Sequence, residues 1–194
     1  MQAQEQRDYL PEEYLALEIA SDERHEYIDG QIFPMTGGTP NHNQIAVNLG
    51  STLNFELKRQ PYRVFITDQR LWISKRRLYT YPDIMVVKGP LEFQEGRKDT
   101  LVNPLIIAEV LSTSTKNYDR DEKFSAYRTI ESFQEYVLID QYKIHVEKYF
   151  KASENKWIFS EYEGAETTLY LDSIPFQISL ADIYDKVDFD IEIQ

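Results

Sequence analysis

Two runs decide how this chain is read: Tyr81-Pro82-Asp83-Ile84-Met85-Val86-Val87 and, after a polar loop, Pro104-Leu105-Ile106-Ile107-Ala108-Glu109-Val110-Leu111-Ser112. Both have the length and β-branched content of buried strands. An acid opens the first run, and a second acid, Glu109, sits inside the other. Burying an ionised carboxylate costs on the order of several kcal/mol unless a cation or hydrogen-bond donors compensate it. Glu109 is walled by Ile107, Ala108, Val110 and Leu111. A positive group is therefore expected beside it.

Outward from these strands, the chain alternates between the two periodicities. Residues 117–130 read as a helix with Phe124, Tyr127 and Ile130 on its inward stripe. Before the first run, Val64-Phe65-Ile66 and Leu71-Trp72-Ile73 are strand candidates flanking Asp68. Thr39-Pro40 reads as an N-cap followed by a first helical residue. Ile45, Leu49, Leu53 and Leu57 then recur every fourth residue, predicting a helix that ends near Arg59. Asp29-Gly30 marks a hairpin between short strands, and Leu10-Pro11 opens an early helix with Tyr14, Leu15, Leu17 and Ile19 on its apolar face. Residues 135–140 and 143–149 alternate like paired strands, with further strands across 156–171. Ser179 caps a short helix over 180–184, and Ser112 to Thr115 form a hydroxyl-rich strand-to-helix turn. The fold class this predicts is α/β (α+β mixed), a central mixed sheet flanked by helices with extra hairpins. Without repeats or a Pro/Ser-rich linker, residues 9–188 read as a single domain. Residues 1–8 read as a flexible start and 189–194 as a tail.

Composition removes several function classes. The 194 residues include no cysteine, which excludes disulfides, thiolate zinc sites and cysteine nucleophiles. No apolar run approaches a bilayer span and the start carries no apolar signal core, so a soluble protein is expected, cytoplasmic if bacterial. A formal net charge of −12 argues against a broadly basic nucleic-acid surface. Local clusters such as Lys75-Arg76-Arg77, or the Arg97/Lys98 loop with Lys116, Arg120 and Lys123, remain available for a patch. No serine sits in a nucleophile elbow, and Gly37-Gly38 lacks the Lys-Ser/Thr of a phosphate loop.

If the two acid-bearing strands are neighbours, their carboxylates converge. Such hard oxygen donors in a partly buried cleft suit Mg²⁺ or Mn²⁺ better than Zn²⁺. A divalent ion there polarises a phosphodiester and acidifies an attacking water. Pro82-Asp83, the 109–112 segment and the Asp119/Lys123/Tyr127 helix together resemble the Uma2 family (DUF820), restriction-endonuclease-like proteins of the PD-(D/E)xK nuclease superfamily. The similarity extends to residues 25–30, Asn41-His42, Asp68 before the Pro-Asp strand, and Glu135-Tyr136 leading into Leu138-Ile139-Asp140.

The resemblance implies a metal-dependent nuclease acting on DNA, with Asp83 and Glu109 as metal ligands and Glu26 as an additional acid. The superfamily's lysine two residues after the second acid is here Leu111, and Lys123 on the following helix is its natural replacement. Supporting roles are open to Asp68, His42, Ser112 and Tyr127. The resemblance also implies a homodimer, with Trp157 and Phe159 as candidates for the contact. Plainer readings stand beside these. Asp83 can open its strand by accepting backbone donors, and Glu109 can pair with Lys123 without metal. Lys123 can be an i,i+4 partner of Asp119. Glu26 can be a hairpin acid, Asp68 a turn residue and His42 a surface histidine. The same fold without catalysis, serving as a binding or regulatory module, is the competing function.

Overall fold

The fourfold apolar period of the early helix is fulfilled in a computed structural model, which describes residues 7–35, 37–113 and 116–190. Most of the start expected to be flexible (residues 1–6), Thr36, Ser114 and Thr115 of the expected hydroxyl-rich turn, and residues 191–194 of the expected tail lie outside the described residues. Helix α2 (Pro40–Glu56) begins with Thr39 Oγ1 accepting from the His42 backbone at 3.1 Å. It ends at Glu56, three residues short of the predicted limit. Ile45, Leu49, Leu53 and Leu57 all lie in the core.

The core is built on a six-stranded mixed sheet in the order β11-β10-β9-β8-β6-β3. Its strands are β3 (Tyr62–Ile66), β6 (Ile84–Lys88), β8 (Ile106–Leu111), β9 (Glu135–Asp140), β10 (His145–Ser153) and β11 (Lys156–Glu163). All neighbours are antiparallel except β8 and β9. That parallel pair requires a crossover, supplied by α3 (Lys116–Tyr118), a π-turn over Asp119–Lys123 and α4 (Phe124–Tyr127). The predicted helix over 117–130 is thus broken into three pieces. Its inward residues are nonetheless found, since Tyr127 and Ile130 are buried and Phe124 packs against the same cluster.

Alternation along each strand sends side chains to opposite faces. Ile84, Val86, Ile106, Ala108, Val110, Val137, Ile139 and Val146 form one cluster with α2. The hairpin of β12 (Thr168–Leu171) and β13 (Phe176–Ser179) joins it, with the Ser179-capped helix α5 (Leu180–Ile183). Met85, Val87, Ile107, Leu111, Tyr136 and Leu138 face the other way, under the crossover segment. Glu109 has the parity of this second face.

A second sheet, not anticipated from the sequence, runs β2-β1-β5-β4-β7. It contains β1 (His25–Ile28), β2 (Gln31–Pro34), β4 (Arg70–Ile73), β5 (Leu78–Thr80) and β7 (Thr100–Leu101). The β1–β2 hairpin turns where expected, with Asp29 at φ 43° and Gly30 at φ 98°, which only glycine adopts without strain. Helix α1 (Pro11–Ala20) buries Tyr14, Leu15 and Glu18, while Leu17 and Ile19 are exposed, against expectation. The reason is a polar network. Glu18 accepts from the Tyr81 hydroxyl at 2.8 Å and pairs with His25 at 3.1 Å, which turns the helix away from the predicted face.

Core packing sets the first prediction. Leu49→Ala, in the centre of α2, should destabilise the protein by about 2–5 kcal/mol in urea titration. A loss below about 1 kcal/mol would show that this helix face is not packed as described.

Candidate metal centre

Chain path explains how distant acids meet. The central strand of the second sheet, β5, passes through Tyr81-Pro82 directly into β6 of the first. Continuing the β6–β8 register by one step from Ile84↔Ala108 sets Asp83 opposite Glu109 on the same face. The contact is reciprocal. Glu109 Oε2 accepts from the Asp83 backbone at 3.2 Å, and Asp83 Oδ2 accepts from the Val110 backbone at 2.8 Å. On the other side, continuing the β1–β5 register from Tyr27↔Tyr79 places Glu26 beside Thr80, whose hydroxyl donates to Glu26 Oε1.

The crossover closes the site from above. Lys123 Nζ lies 3.3 Å from Glu109 Oε1, 3.4 Å from Glu26 Oε1 and 3.2 Å from Asp119 Oδ1. The Tyr127 hydroxyl donates to Glu109 Oε1 at 2.7 Å. A π-turn widens the helix by one residue per turn, a distortion that recurs at functional sites. Here it spans Asp119 to Lys123, so both ends of the widened turn face the cluster. Asp119 Oδ1 is buried without an aligned hydrogen bond. From the first turn of α2, His42 Nε2 reaches Asp83 Oδ2 at 3.1 Å, while its Nδ1 is buried without an aligned hydrogen bond among the described residues.

Electrostatics follow from this crowding. Burial raises the Glu109 carboxyl to about 8, opposed by Lys123 and reinforced by the charges of Asp83 and Asp119. Burial pulls Lys123 down, but Glu109, Glu26 and Asp119 outweigh it and hold the ammonium well above its ordinary value. Burial likewise lowers His42, yet the carboxylates of Asp83 and Glu109 leave it raised. Asp83, Glu109, Glu26 and Asp119 surround a single lysine, so the pocket is short of positive charge even with His42 protonated. The donor set is hard oxygen, and it fits a divalent ion.

The predicted residues divide clearly. Asp83, Glu109, Glu26, Lys123, Tyr127 and His42 come together. Asp68 does not: it is 72% exposed and pairs with Arg24 at 2.9 Å, the turn reading. Ser112 lies half-buried at the end of β8, and its carbonyl accepts from Lys116 N at 3.0 Å. Leu111, where the superfamily places its lysine, is buried in the apolar cluster under the crossover. From sequence, Asp119 was read as part of the helix motif that carries the resemblance and as a helix partner of Lys123, without a place in the site. Its membership of the cluster depends on the π-turn, which the spacing does not announce.

An acidic pair on adjacent strands, covered by a lysine-bearing crossover, defines a restriction-endonuclease-like fold. A solved structure described as a "putative nuclease belonging to DUF820", from Anabaena variabilis ATCC 29413, has the same fold with a TM-score of 0.73 at 21% identity. The match covers 90% of this chain and 96% of that one. The chain belongs to the Uma2 family, whose model, described as "Putative restriction endonuclease", matches residues 11–182. Two uncharacterized proteins of Synechocystis sp. are similar to it. One, sll1609, is 41% identical over 152 residues, covering 78% of this chain and 86% of that protein. The other, slr1290, is 34% identical over 181 residues, covering 92% and 93%.

Two measurements test the electrostatics. Because Lys123 is a cation beside the ligand oxygens, Lys123→Met should tighten Mg²⁺ binding by at least about tenfold in calorimetry. Like charges 4 Å apart repel by about 4 kcal/mol even at an effective dielectric of 20. Unchanged or weaker binding would show that the lysine does not face the ion. A proton on Glu109 competes with metal, so affinity should climb as pH rises toward about 8 and level off above it. A flat profile would contradict the raised carboxyl.

Proposed function

We propose that this protein is a Mg²⁺-dependent endonuclease that hydrolyses DNA phosphodiester bonds. The observation that carries the reading is the excess of carboxylates, buried at Glu109 and Asp119 and half-buried at Asp83 and Glu26, on the sheet face and beneath the crossover. Asp83 and Glu109, with Glu26, would hold the ion, which when bound supplies Lewis-acid polarisation of the phosphate and an acidified water. Lys123 then serves as the positive group that orients the attacking water and balances charge developing on the phosphate. Tyr127 fixes the Glu109 carboxylate, and His42 fixes that of Asp83. Mn²⁺ satisfies the same oxygen donors.

A homodimer is part of the reading, since cutting both strands calls for two sites related by a two-fold axis. Strand β11 is an edge of the sheet, and Ile158 and Phe159 on it are exposed. Trp157 is less suited to the contact, because its ring packs against Phe124 at 5.1 Å and Phe133 at 5.7 Å.

One observation favours the alternative of a catalytically silent module. Lys123 already bridges three carboxylates, an arrangement that holds together as an ion network without metal. Incubation with supercoiled plasmid separates the two. The wild type with Mg²⁺ should nick or linearise DNA, and chelation should abolish cleavage. Asp83→Ala should lose at least about a hundredfold, the scale of one lost electrostatic contact to a transition state. No cleavage by metal-loaded wild type, or equal cleavage by Asp83→Ala, would favour the silent module.

A further inference from the structure

We propose that His145, Glu147 and Glu161 form a second divalent-cation site, of the zinc type, on the β10–β11 hairpin. It stands independently of the nuclease reading. His145 and Glu147 share one face of β10, and Glu161 sits directly opposite Glu147 on β11. One ligand atom from each lies within 4.8 Å of the others. Glu163, opposite His145 in the register, brings a further carboxylate.

His145 is the informative residue. Its side chain is only 7% exposed, yet its Nε2 lies 3.4 Å from Glu161 Oε1 and 3.8 Å from Glu163 Oε1. These separations exceed the usual 2.9–3.0 Å of an N–H···O bond, and neither makes an aligned hydrogen bond. The 3.4 Å separation from Glu161 matches the edge of a tetrahedron around zinc. Bonds of 2.0–2.2 Å place neighbouring donors about 3.4 Å apart. A mixed imidazole–carboxylate set also suits Zn²⁺, in contrast to the all-oxygen cluster at Asp83 and Glu109.

The surroundings hold this geometry in place. Tyr184 Oη accepts from the His145 backbone N–H at 3.1 Å and lies 2.8 Å from the His145 carbonyl, which fixes the start of β10. The Arg120 guanidinium grips Glu147 through Nε at 3.3 and 3.2 Å and Nη2 at 2.7 Å, orienting that carboxylate. Three carboxylates, Glu147, Glu161 and Glu163, face one arginine, and the excess negative charge is one that a dication neutralises. The site is distinct from the first. Glu109, Leu138 and Glu147 lie in one row across β8, β9 and β10, so the two acids are about 10 Å apart at two strand spacings. A metal here staples the edge strand β11 to its neighbour.

The test is zinc titration of the full chain against a chromophoric chelator, in wild type, Glu109→Gln, His145→Asn and Glu161→Gln, with thermal melts alongside. Glu109→Gln should keep one zinc equivalent and a zinc-dependent rise in Tm. His145→Asn and Glu161→Gln, with circular dichroism matching the wild type, should each lose that equivalent and that rise while cleaving plasmid as the wild type does. Absence of zinc binding in Glu109→Gln would overturn the proposal. So would equal stoichiometry in wild type and His145→Asn, which marks non-specific association.

Discussion

Everything in this structure depends on making a carboxylate tolerable in the middle of a hydrophobic strand. Glu109 occupies a core position of β8 at 3% exposure, where an apolar residue would be the cheaper choice. Its oxygens are met by the Asp83 backbone, the Tyr127 hydroxyl and the Lys123 ammonium. Those partners come from a neighbouring strand and from the crossover, so the acid fixes both elements against the sheet. Removing one partner would leave a buried charge exposed to nothing, which is why such a cluster stands or falls together.

Two topological features bring the remaining groups in. The first is the passage of one strand line from the second sheet into the first through Tyr81-Pro82, which sets Glu26 near Asp83 although 57 residues separate them. The second is the parallel β8–β9 pair, whose obligatory crossover carries Asp119, Lys123 and Tyr127 across the Glu109 face. Lys123 on that crossover brings a positive group to the Glu109 face, while position 111 is a core leucine. The overall charge of −12 and the local chemistry are therefore separate matters, since Glu109 and Asp119 are buried, Asp83 and Glu26 are half-buried, and Lys123 or His42 lies against each of them.

Much of this was legible in the sequence because burial and periodicity are local signals. An acid inside Ile-Ile-Ala-Glu-Val-Leu, a proline-led Pro-Asp strand and a fourfold Leu pattern identify β8, β6 and α2 directly. Asp29-Gly30 and Ser179 likewise announce their turn and cap. What escaped depends on contacts distant in sequence. The exposure of Leu17 and Ile19 follows from Glu18 bonding Tyr81, a contact no helical period encodes. The second sheet escaped because its strands are two to four residues long and pair across the chain. Asp119 joins the site through a π-turn, and Asp68 leaves it for Arg24; spacing alone distinguishes neither. The His145/Glu147 alternation was read only as strand pattern, and the register with β11 gave it a second meaning.

Divalent-ion binding through Asp83 and Glu109, in the pocket between β6, β8 and the crossover, is the proposal on which the nuclease reading rests. The most direct measurement is anomalous diffraction from crystals grown with Mn²⁺. The account predicts a manganese peak bonded to carboxylate oxygens of both residues, with Lys123 displaced from Glu109. A map with no peak there, and the ammonium still bridging Glu26, Glu109 and Asp119, would contradict it.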